Sequence, residues 1–335
     1  MLNEMKIYSS IDEFAASGVN KAIVTIGTFD GVHLGHQTIL KRVNELAIKQ
    51  NAESVLLTFH PHPRTVLFPE GPEMRFLSTF SEKQALLKAA GIKHLIIHPF
   101  TKELSQVSAY DYVKTILVDK LHVQTLVIGH DHRFGHKREG SIKELKEWAP
   151  ALGFMVEEMT PFQSDGITIS SSKIRKALTD GDMEMANTYL GYSYFIHAKV
   201  VRGLNLGGKE LGYPTANLEV EDKKKIMPGD GIYAVYVSVE GIRDKEQGIS
   251  KNIPHTPYSL PLLKGMMSIG LNPTVEGKGR SMEVHIFDFD NTIYDKHLSV
   301  FFHKKIRNEA KFDSMEALKK QMDNDRDVTL KLLTE

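Results

Sequence analysis

The chain has 335 residues, 41% of them hydrophobic and 25% charged, which is the composition of a globular protein long enough for two domains. Its 42 lysine and arginine residues balance its 42 aspartate and glutamate residues, so it lacks the basic field on which nucleic-acid binding depends. The sequence contains no cysteine, and this excludes disulfides, thiolate metal sites and cysteine nucleophiles.

The first ten residues, MLNEMKIYSS, have neither the cationic nor the apolar segment of a secretion signal. Apolar runs such as VLLTF are far shorter than the roughly 20 residues of a membrane span. These features predict a cytoplasmic protein whose partners include neither membranes nor nucleic acids.

Up to about residue 190, short apolar runs alternate with helical patterns, which is typical of a parallel sheet covered by helices on both faces. The predicted strands are KAIVTIG, ESVLLTF, HLIIHPF, QTLVIG and FMVEEMT. The predicted helices are HQTILKRVNELAIKQ, SEKQALLKAAG, SAYDYVKTILVDKLH, SIKELKEWAPALG and the region from Ser171 to about Leu190. Capping boxes are predicted at Ser81 with Gln84 and at Ser141 with Glu144. The apolar face of the first helix is predicted to contain Ile39, Leu40, Val43, Leu46 and Ala47.

After Tyr194 the pattern changes to β-rich runs separated by turns that contain glycine or proline. These runs are FIHAKVV, GIYAVYVSV, MEVHIFDF and LSVFFHKKI, and one helical pattern, SMEALKKQM, follows them. Runs of this kind predict a small antiparallel barrel or sandwich with a terminal helix. We predict domains at residues 1–190 and 191–335, with a long surface loop at 242–265.

The segment GTFDGVHLGHQ, residues 27–37, lies where a predicted strand leads into a helix. Such a junction points free backbone N–H groups and a helix dipole at an anion, and its glycines permit a close approach of the ligand. His33 and His36 can add imidazole hydrogen bonds at the same place. An ordinary surface turn would explain these residues taken alone.

Three further polar loops follow predicted strands or begin a helix, so they are expected at the same edge of the sheet, where ligands of open α/β sheets bind. They are FHPHPRTVLFP at 59–69, GHDHRFGHKREGS at 129–141 and ISSSKIR at 169–175. Four such loops together favour a site for a phosphorylated ligand over a set of simple turns.

These motifs, in this order, resemble those of the prokaryotic bifunctional riboflavin kinase/FMN adenylyltransferase (FAD synthetase) family. GKELGYPTANL at 208–218 and EVHIFDFDNTIY at 283–294 are similar to the motifs of its kinase half. The resemblance implies a Rossmann-like nucleotidyltransferase domain followed by an antiparallel β-barrel with a terminal helix. It also implies two Mg²⁺-dependent reactions, in which ATP first phosphorylates riboflavin to FMN and a second ATP then adenylylates FMN to FAD, releasing pyrophosphate.

For the adenylyltransferase half, the resemblance implies that His33 and His36 steady the triphosphate and the charge that grows at the α-phosphorus. Residues expected to contact the nucleotide through the backbone, or to leave room for it, are Gly27, Thr28, Phe29 and Gly35. The departing pyrophosphate is assigned to Ser171, Ser172, Lys173 and Arg175. His62 and Asp131 are assigned to the flavin or the nucleotide.

For the kinase half, Glu283 is expected to act as the base for the ribityl hydroxyl, and strand alternation places it on the face opposite Val284. Thr215 and Asn217 are expected to serve the ATP–Mg²⁺ complex, because hydroxyl and amide oxygens suit that ion. Gly207 and Gly212 are expected to keep the nearby backbone open to phosphates.

Other interpretations fit parts of the chain. HIFDFDNTIYD matches the D-x-D-x-T signature of phosphohydrolases, with Asp288 as nucleophile and Asp290 as acid and base. Other nucleotidyltransferases, including aminoacyl-tRNA synthetases, carry H-x-G-H, and a flavin- or nucleotide-binding regulator could retain the pockets without turnover. The histidines at 60, 62, 130, 132 and 136 invite a zinc site, although their spacing lacks a helical H-x-x-x-H pair.

Overall fold

The structure is a computed structural model that describes residues 4–164, 166–203, 212–241, 262–274 and 277–334. The chain divides into two compact units, Met1–Ser170 and Ser171–Glu335. Within the described ranges, every helix is too short or too polar to span a membrane.

The first unit contains a six-stranded sheet in which every neighbouring pair of strands is parallel. Its strands are β1 (Lys6–Tyr8), β2 (Ala22–Ile26), β3 (Glu53–Phe59), β4 (His94–His98), β5 (Val123–Gly129) and β6 (Met155–Met159). A separate antiparallel pair is formed by β7 (Gln163–Ser164) and β8 (Ile167–Thr168). Its helices are α1 (Ile11–Ala15), α2 (Leu34–Gln50), α3 (Pro63–Leu67), α4 (Phe80–Ala89), α5 (Ala109–Asp111, continued by a π-helix over Tyr112–Val118) and α6 (Ile142–Leu152).

The strand order is β1-β4-β3-β2-β5-β6, so the direction of winding reverses between β2 and β5. In open α/β sheets such a reversal leaves a crevice at the carboxyl ends of the strands, and ligands bind there. The residue that follows β2 is Gly27, the first residue of the glycine- and histidine-containing segment. The topology therefore places that segment at the reversal point of the sheet.

The five predicted strands of this unit are confirmed, and all residues of β2 are buried, as expected of a central parallel strand. The face of α2 is confirmed at four positions, while Ile39 is only half-buried; the buried four are Leu40, Val43, Leu46 and Ala47. The sequence prediction omitted the short elements β1, α1, α3, β7 and β8.

The two predicted capping boxes have different outcomes. The box of Ser141 with Glu144 is present at α6. At α4 the predicted box is wrong, because the helix begins at Phe80 and Thr79 is its N-cap. The Thr79 hydroxyl accepts the N–H of Glu82 at 3.2 Å, and the Glu82 carboxylate accepts the N–H of Thr79 at 2.8 Å. Ser81 and Gln84 consequently lie inside the helix.

The second unit begins with α7 (Ser171–Asp180) and α8 (Met183–Leu190), which confirm the predicted helical region. The N–H of Gly229 donates to the Leu178 carbonyl at 2.8 Å, and the Asn187 amide donates to the Phe302 carbonyl at 2.9 Å. These bonds attach both helices to the β-rich part of the chain. The predicted boundary between residues 190 and 191 stays a prediction.

The remaining strands form a closed antiparallel barrel, which decides between the predicted barrel and the predicted sandwich. They are β9 (Phe195–Val201), β10 (Ala216–Glu219), β11 (Gly231–Val239), β12 (Leu263–Thr274), β13 (Gly277–Ile286) and β14 (His297–Arg307). The strand order around the barrel is β10-β13-β12-β11-β14-β9. The predicted loop at 242–265 is wrong at its end, because β12 begins at Leu263; residues 242–261 lie outside the described part.

The terminal helix, α9 (Met315–Leu332), is longer than the predicted segment and begins after the N-cap Ser314. Its buried Asp325 accepts hydrogen bonds from the Arg307 guanidinium, the shortest at 2.7 Å, at the end of β14. Gln321 donates to the same carboxylate at 2.8 Å. A buried charge is tolerated when it is paired in this way, so the pair fixes α9 against the barrel.

Candidate active sites

The segment between β2 and α2 forms a compact turn with unusual backbone angles. Phe29 has φ of +47° and Gly31 has φ of +77°. A Cβ on Gly31 would also lie 2.7 Å from the Leu77 side chain, so a larger residue is excluded there. A Cβ on Gly27 would lie 2.9 Å from the Phe29 ring. Contacts within the turn and with Leu77 therefore restrict which residues these positions accept.

His33 and His36 lie together at the start of α2, with stacked rings whose centroids are 3.7 Å apart. The Phe29 ring packs on His36 at 4.7 Å, and a Cβ on Gly35 would lie 3.3 Å from the His33 ring. Burial, with smaller contributions from His33 and Lys83, holds the pKa of His36 well below its ordinary value. In the described part of the chain, Nδ1 of His36 is buried without a hydrogen-bond partner. His36 thus offers an uncharged imidazole whose Nδ1 is available for a hydrogen bond.

Sequence analysis missed a second segment that supports this turn, residues 77–83. The buried carboxylate of Asp30 accepts the N–H groups of Leu77 at 2.9 Å and Ser78 at 3.3 Å. In return, the N–H of Gly31 donates to the Ser78 hydroxyl at 3.2 Å. Lys83, in α4, donates from Nζ to the Thr28 carbonyl at 3.2 Å. Asp30 lies inside the motif itself, whereas nothing in the local sequence marks Lys83.

The two other predicted residues of the first unit have different surroundings. His62 is the N-cap of α3, and its Nδ1 accepts the N–H of Arg64 at 3.1 Å, so one ring nitrogen has a structural role. Asp131 is exposed just after β5, the strand that neighbours β2 at the reversal point. Burial lowers the pKa of the adjacent His132 to about 4.

Ser171, Ser172, Lys173 and Arg175 occupy the first turns of α7, in the second compact unit. Ser172 and Lys173 are exposed, and Ile174 is buried. The N-terminal end of a helix with this composition suits an anion. Their assignment to pyrophosphate stays a prediction.

The barrel brings the predicted kinase residues together. The Thr215 hydroxyl donates to the Glu283 carboxylate at 3.0 Å. Asn217 is the register partner of Glu283 across β10 and β13. Val284 is buried and Glu283 half-buried, as the alternation of the strand predicted. The hydroxyl, amide and carboxylate therefore form one cluster whose oxygen atoms can coordinate a cation.

Glycines and aromatic rings flank this cluster. A Cβ on Gly203 would lie 2.0 Å from the Asn217 amide, so the amide requires glycine there. Gly212 has φ of +79°, whereas Gly207 lies outside the described residues. Tyr213 donates to Asp323 of α9, and burial with this hydrogen bond raises the pKa of Tyr213 to about 12. The residues before Thr215 are thus anchored to the terminal helix.

The phosphohydrolase interpretation is wrong for this fold. Asp288 and Asp290 are exposed residues of the connection after β13, which is an antiparallel barrel strand rather than the first strand of an α/β domain.

The histidine-rich loops also invited a zinc site. In the described part of the chain, no three histidine, aspartate or glutamate side chains converge to hold a metal ion.

Comparisons with known proteins match the chain in two successive parts. The FAD synthetase family model matches residues 16–173, and the riboflavin kinase family model matches residues 190–333. A bifunctional riboflavin kinase/FMN adenylyltransferase of Pseudomonas fluorescens is 36% identical over 90% of this chain and 90% of its own length. Enzymes of the same description from Buchnera aphidicola and Escherichia coli are 34% and 32% identical, covering 98% and 96% of both chains.

A crystal structure of a Streptococcus pneumoniae protein, described as a macrolide-efflux protein, has the same fold. Its TM-score is 0.82 at 29% identity, and the match covers 97% of this chain and 98% of that one. The two family models match in the order that the motifs predicted, across an α/β unit and a barrel. The chain therefore belongs to the family of bifunctional riboflavin kinases/FMN adenylyltransferases.

Proposed function

We propose that the chain makes FAD from riboflavin in two steps, each at its own cluster of residues. Riboflavin and one ATP give FMN at the barrel, and FMN and a second ATP give FAD and pyrophosphate at the parallel sheet. The observation that carries the proposal is the hydrogen bond from the Thr215 hydroxyl to the Glu283 carboxylate in the kinase half, which supports Glu283 as the base. We further propose a cytoplasmic location, with small molecules rather than nucleic acid as partners.

In the kinase step, Glu283 accepts the proton of the ribityl 5′-hydroxyl as that oxygen bonds to the γ-phosphorus of ATP. The bond from the γ-phosphorus to the bridging oxygen breaks, and ADP leaves. Thr215 orients the carboxylate by donating its hydroxyl hydrogen, and positioning of this kind is the main source of catalysis in phosphoryl transfer.

The donor set of the barrel fits Mg²⁺. The Thr215 hydroxyl donates a hydrogen bond to Glu283, so the lone pairs of its oxygen remain for a cation, and Asn217 adds an amide oxygen. We assign Thr215 and Asn217 to the ATP–Mg²⁺ complex. When bound, the ion would neutralise phosphate charge that these neutral side chains cannot.

In the adenylyl-transfer step, a phosphate oxygen of FMN bonds to the α-phosphorus of ATP while the bond to pyrophosphate breaks. The attacking group is already an anion, so this step needs no base. We assign the neutral His36 and its neighbour His33 to hydrogen bonds with the triphosphate and the growing charge. The backbone of Thr28 and Phe29 adds N–H donors. The N–H of Gly27 donates to the Leu57 carbonyl at 3.1 Å, so Gly27, like Gly35, contributes space for the nucleotide.

Pyrophosphate is the leaving group, and we assign it to the residues that begin α7. Ser171, Ser172, Lys173 and Arg175 combine hydroxyls, two cations and the N-terminal end of a helix. His62 and Asp131 are proposed as contacts of the flavin or the nucleotide.

One incubation tests the proposal. The purified chain is mixed with riboflavin, ATP and Mg²⁺, and the products are separated by chromatography. FMN followed by FAD is the expected result. Binding without either product would favour a regulator, and release of phosphate from supplied FMN would favour a phosphohydrolase.

A further inference from the structure

Lys83 makes an unusual contact for a cationic side chain. It is half-buried on α4, and its ammonium donates to the main-chain carbonyl of Thr28 at 3.2 Å. This hydrogen bond goes to a neutral carbonyl oxygen rather than to a carboxylate. Burial lowers the pKa of Lys83, and the charge of Asp30 only partly offsets this. A cation kept there at a cost suggests an anionic ligand nearby.

The contact also fixes the orientation of one peptide group. The carbonyl of Thr28 and the N–H of Phe29 belong to the same planar peptide, and in a trans peptide they point in opposite directions. Holding the carbonyl on α4 therefore directs the N–H of Phe29 away from that helix. Phe29 also has φ of +47°, a conformation that a bulky residue keeps only when its surroundings impose it.

We propose that Lys83 is a positioning residue for FAD formation, which holds the turn at residues 27–31 in the shape that receives the triphosphate of ATP. Its bond to Thr28 aims the N–H of Phe29, and its charge, which acts on His36, favours a polyanion at the same place. The inference rests on the proposed adenylyl transfer. It concerns residues 77–83, which no motif of the sequence contains.

The test compares two lysine-to-methionine variants of the same helix. Lys83→Met keeps the apolar stem and removes the ammonium, while Lys88→Met changes an exposed lysine near the end of α4. FAD formation from supplied FMN is measured over a range of ATP concentrations. For Lys83→Met we expect kcat/KM for ATP to fall by about 10- to 100-fold, mainly through a higher KM for ATP. Lys88→Met should match the unchanged chain.

The kinase reaction of the same molecules is an internal control, because Lys83 lies in the other unit. Riboflavin phosphorylation and its KM for ATP should stay unchanged in Lys83→Met. Lys83→Arg retains a charged donor and should recover part of the loss. A lysine that only stabilised the fold would reduce the amount of active protein, which lowers kcat at constant KM for ATP.

Trp148, the only tryptophan of the chain, lies in α6 and reports by fluorescence whether the first unit is folded. If Lys83→Met does not fold, Lys83→Gln replaces it in the same comparison. An unchanged KM for ATP in a folded variant, or an equal effect of Lys88→Met, would overturn the inference. If the unchanged chain makes FMN but no FAD, the proposed adenylyl transfer fails, and this inference fails with it.

Discussion

The turn after β2 and the strand pair of β10 with β13 hold their polar groups by different means. In the turn, the histidines and the glycines that surround them belong to one continuous segment, Gly27–His36, which has positive φ angles at Phe29, Gly31 and Val32 and is supported by hydrogen bonds with residues 77–83. In the barrel, Thr215 and Glu283 are far apart in the sequence and meet because the register of two strands pairs Asn217 with Glu283. A continuous sequence motif thus assembles one polar cluster, and the pairing of two distant strands assembles the other.

The chemistry of the two clusters differs as well. The turn presents a neutral, largely desolvated imidazole, which can stabilise charge on a phosphate but has no need to remove a proton. The barrel presents a carboxylate held by a hydroxyl, an arrangement that suits proton removal from an alcohol. The difference follows the substrates, since the attacking group is a phosphate in one reaction and an alcohol in the other. A substitution in one cluster should therefore impair its own reaction and leave the other reaction unchanged.

The largest effect is expected for Glu283→Gln. The amide keeps the size of the side chain but accepts no proton, so FMN formation should fall by about 100- to 10,000-fold. FAD formation from supplied FMN should be unchanged. Both rates are measured by chromatography, with Glu219→Gln, an exposed glutamate of β10, as the matched control. Equal loss of both activities would contradict two separate sites.

A smaller effect, on the opposite reaction, is expected for His36→Ala. Loss of one hydrogen bond to the developing charge should lower FAD formation by about 100- to 1,000-fold, while FMN formation continues. The control is His303→Ala, an exposed histidine of β14. A normal rate of FAD formation would remove His36 from the proposed mechanism.

A third variant, Thr215→Val, separates the base from its support. It removes the hydroxyl that holds Glu283 and should lower FMN formation by about 10-fold, less than the loss of the base itself. The dependence of the rate on Mg²⁺ is measured in parallel, because Thr215 is also assigned to the metal complex. If the rate and the Mg²⁺ requirement are both normal, the contact is only structural.

The smallest effect concerns stability at acid pH. Burial lowers the pKa of His94, which Tyr8 and Glu53 flank at 2.9 and 3.5 Å, below its ordinary value of about 6.5. The unfolded chain then binds the proton more readily, so this contribution to stability is complete above pH 6.5 and is lost as the pH falls below it.

Trp148 fluorescence should accordingly give a thermal midpoint that falls between pH 7 and pH 5. A His94→Gln variant should show a smaller change over the same range, since its side chain at this position does not titrate. An identical pH dependence in the two proteins would exclude His94 as a cause.

Much of the first site could be predicted because its determinants are local. The glycines and histidines after β2 lie in one stretch, and the Ser141 capping box needs only two residues three apart. The cap of α4 was missed because the sequence allows two capping boxes, Thr79 with Glu82 and Ser81 with Gln84. The helix begins at the earlier one, just after Leu77 and Ser78, whose N–H groups donate to Asp30.

The rest depended on contacts between distant residues. Lys83 acts on Thr28 through the packing of α4, and no pattern in either segment indicates that contact. In the barrel, the kinase motifs indicated Thr215 and Glu283, but only the pairing of β10 with β13 puts them within hydrogen-bond distance. The start of β12 at Leu263 was missed because its apolar residues follow a segment rich in turn-forming residues.

Closure of the six strands upon themselves has a practical consequence for protein engineering. In a ring, one strand cannot slip by a residue unless its two neighbours adjust, so the spacing of Asn217 and Glu283 is mechanically locked. Exposed barrel residues that contact neither this cluster nor the helices α7–α9 are therefore the positions at which to alter solubility or attach a label. The phosphorylating half should keep its geometry through such changes.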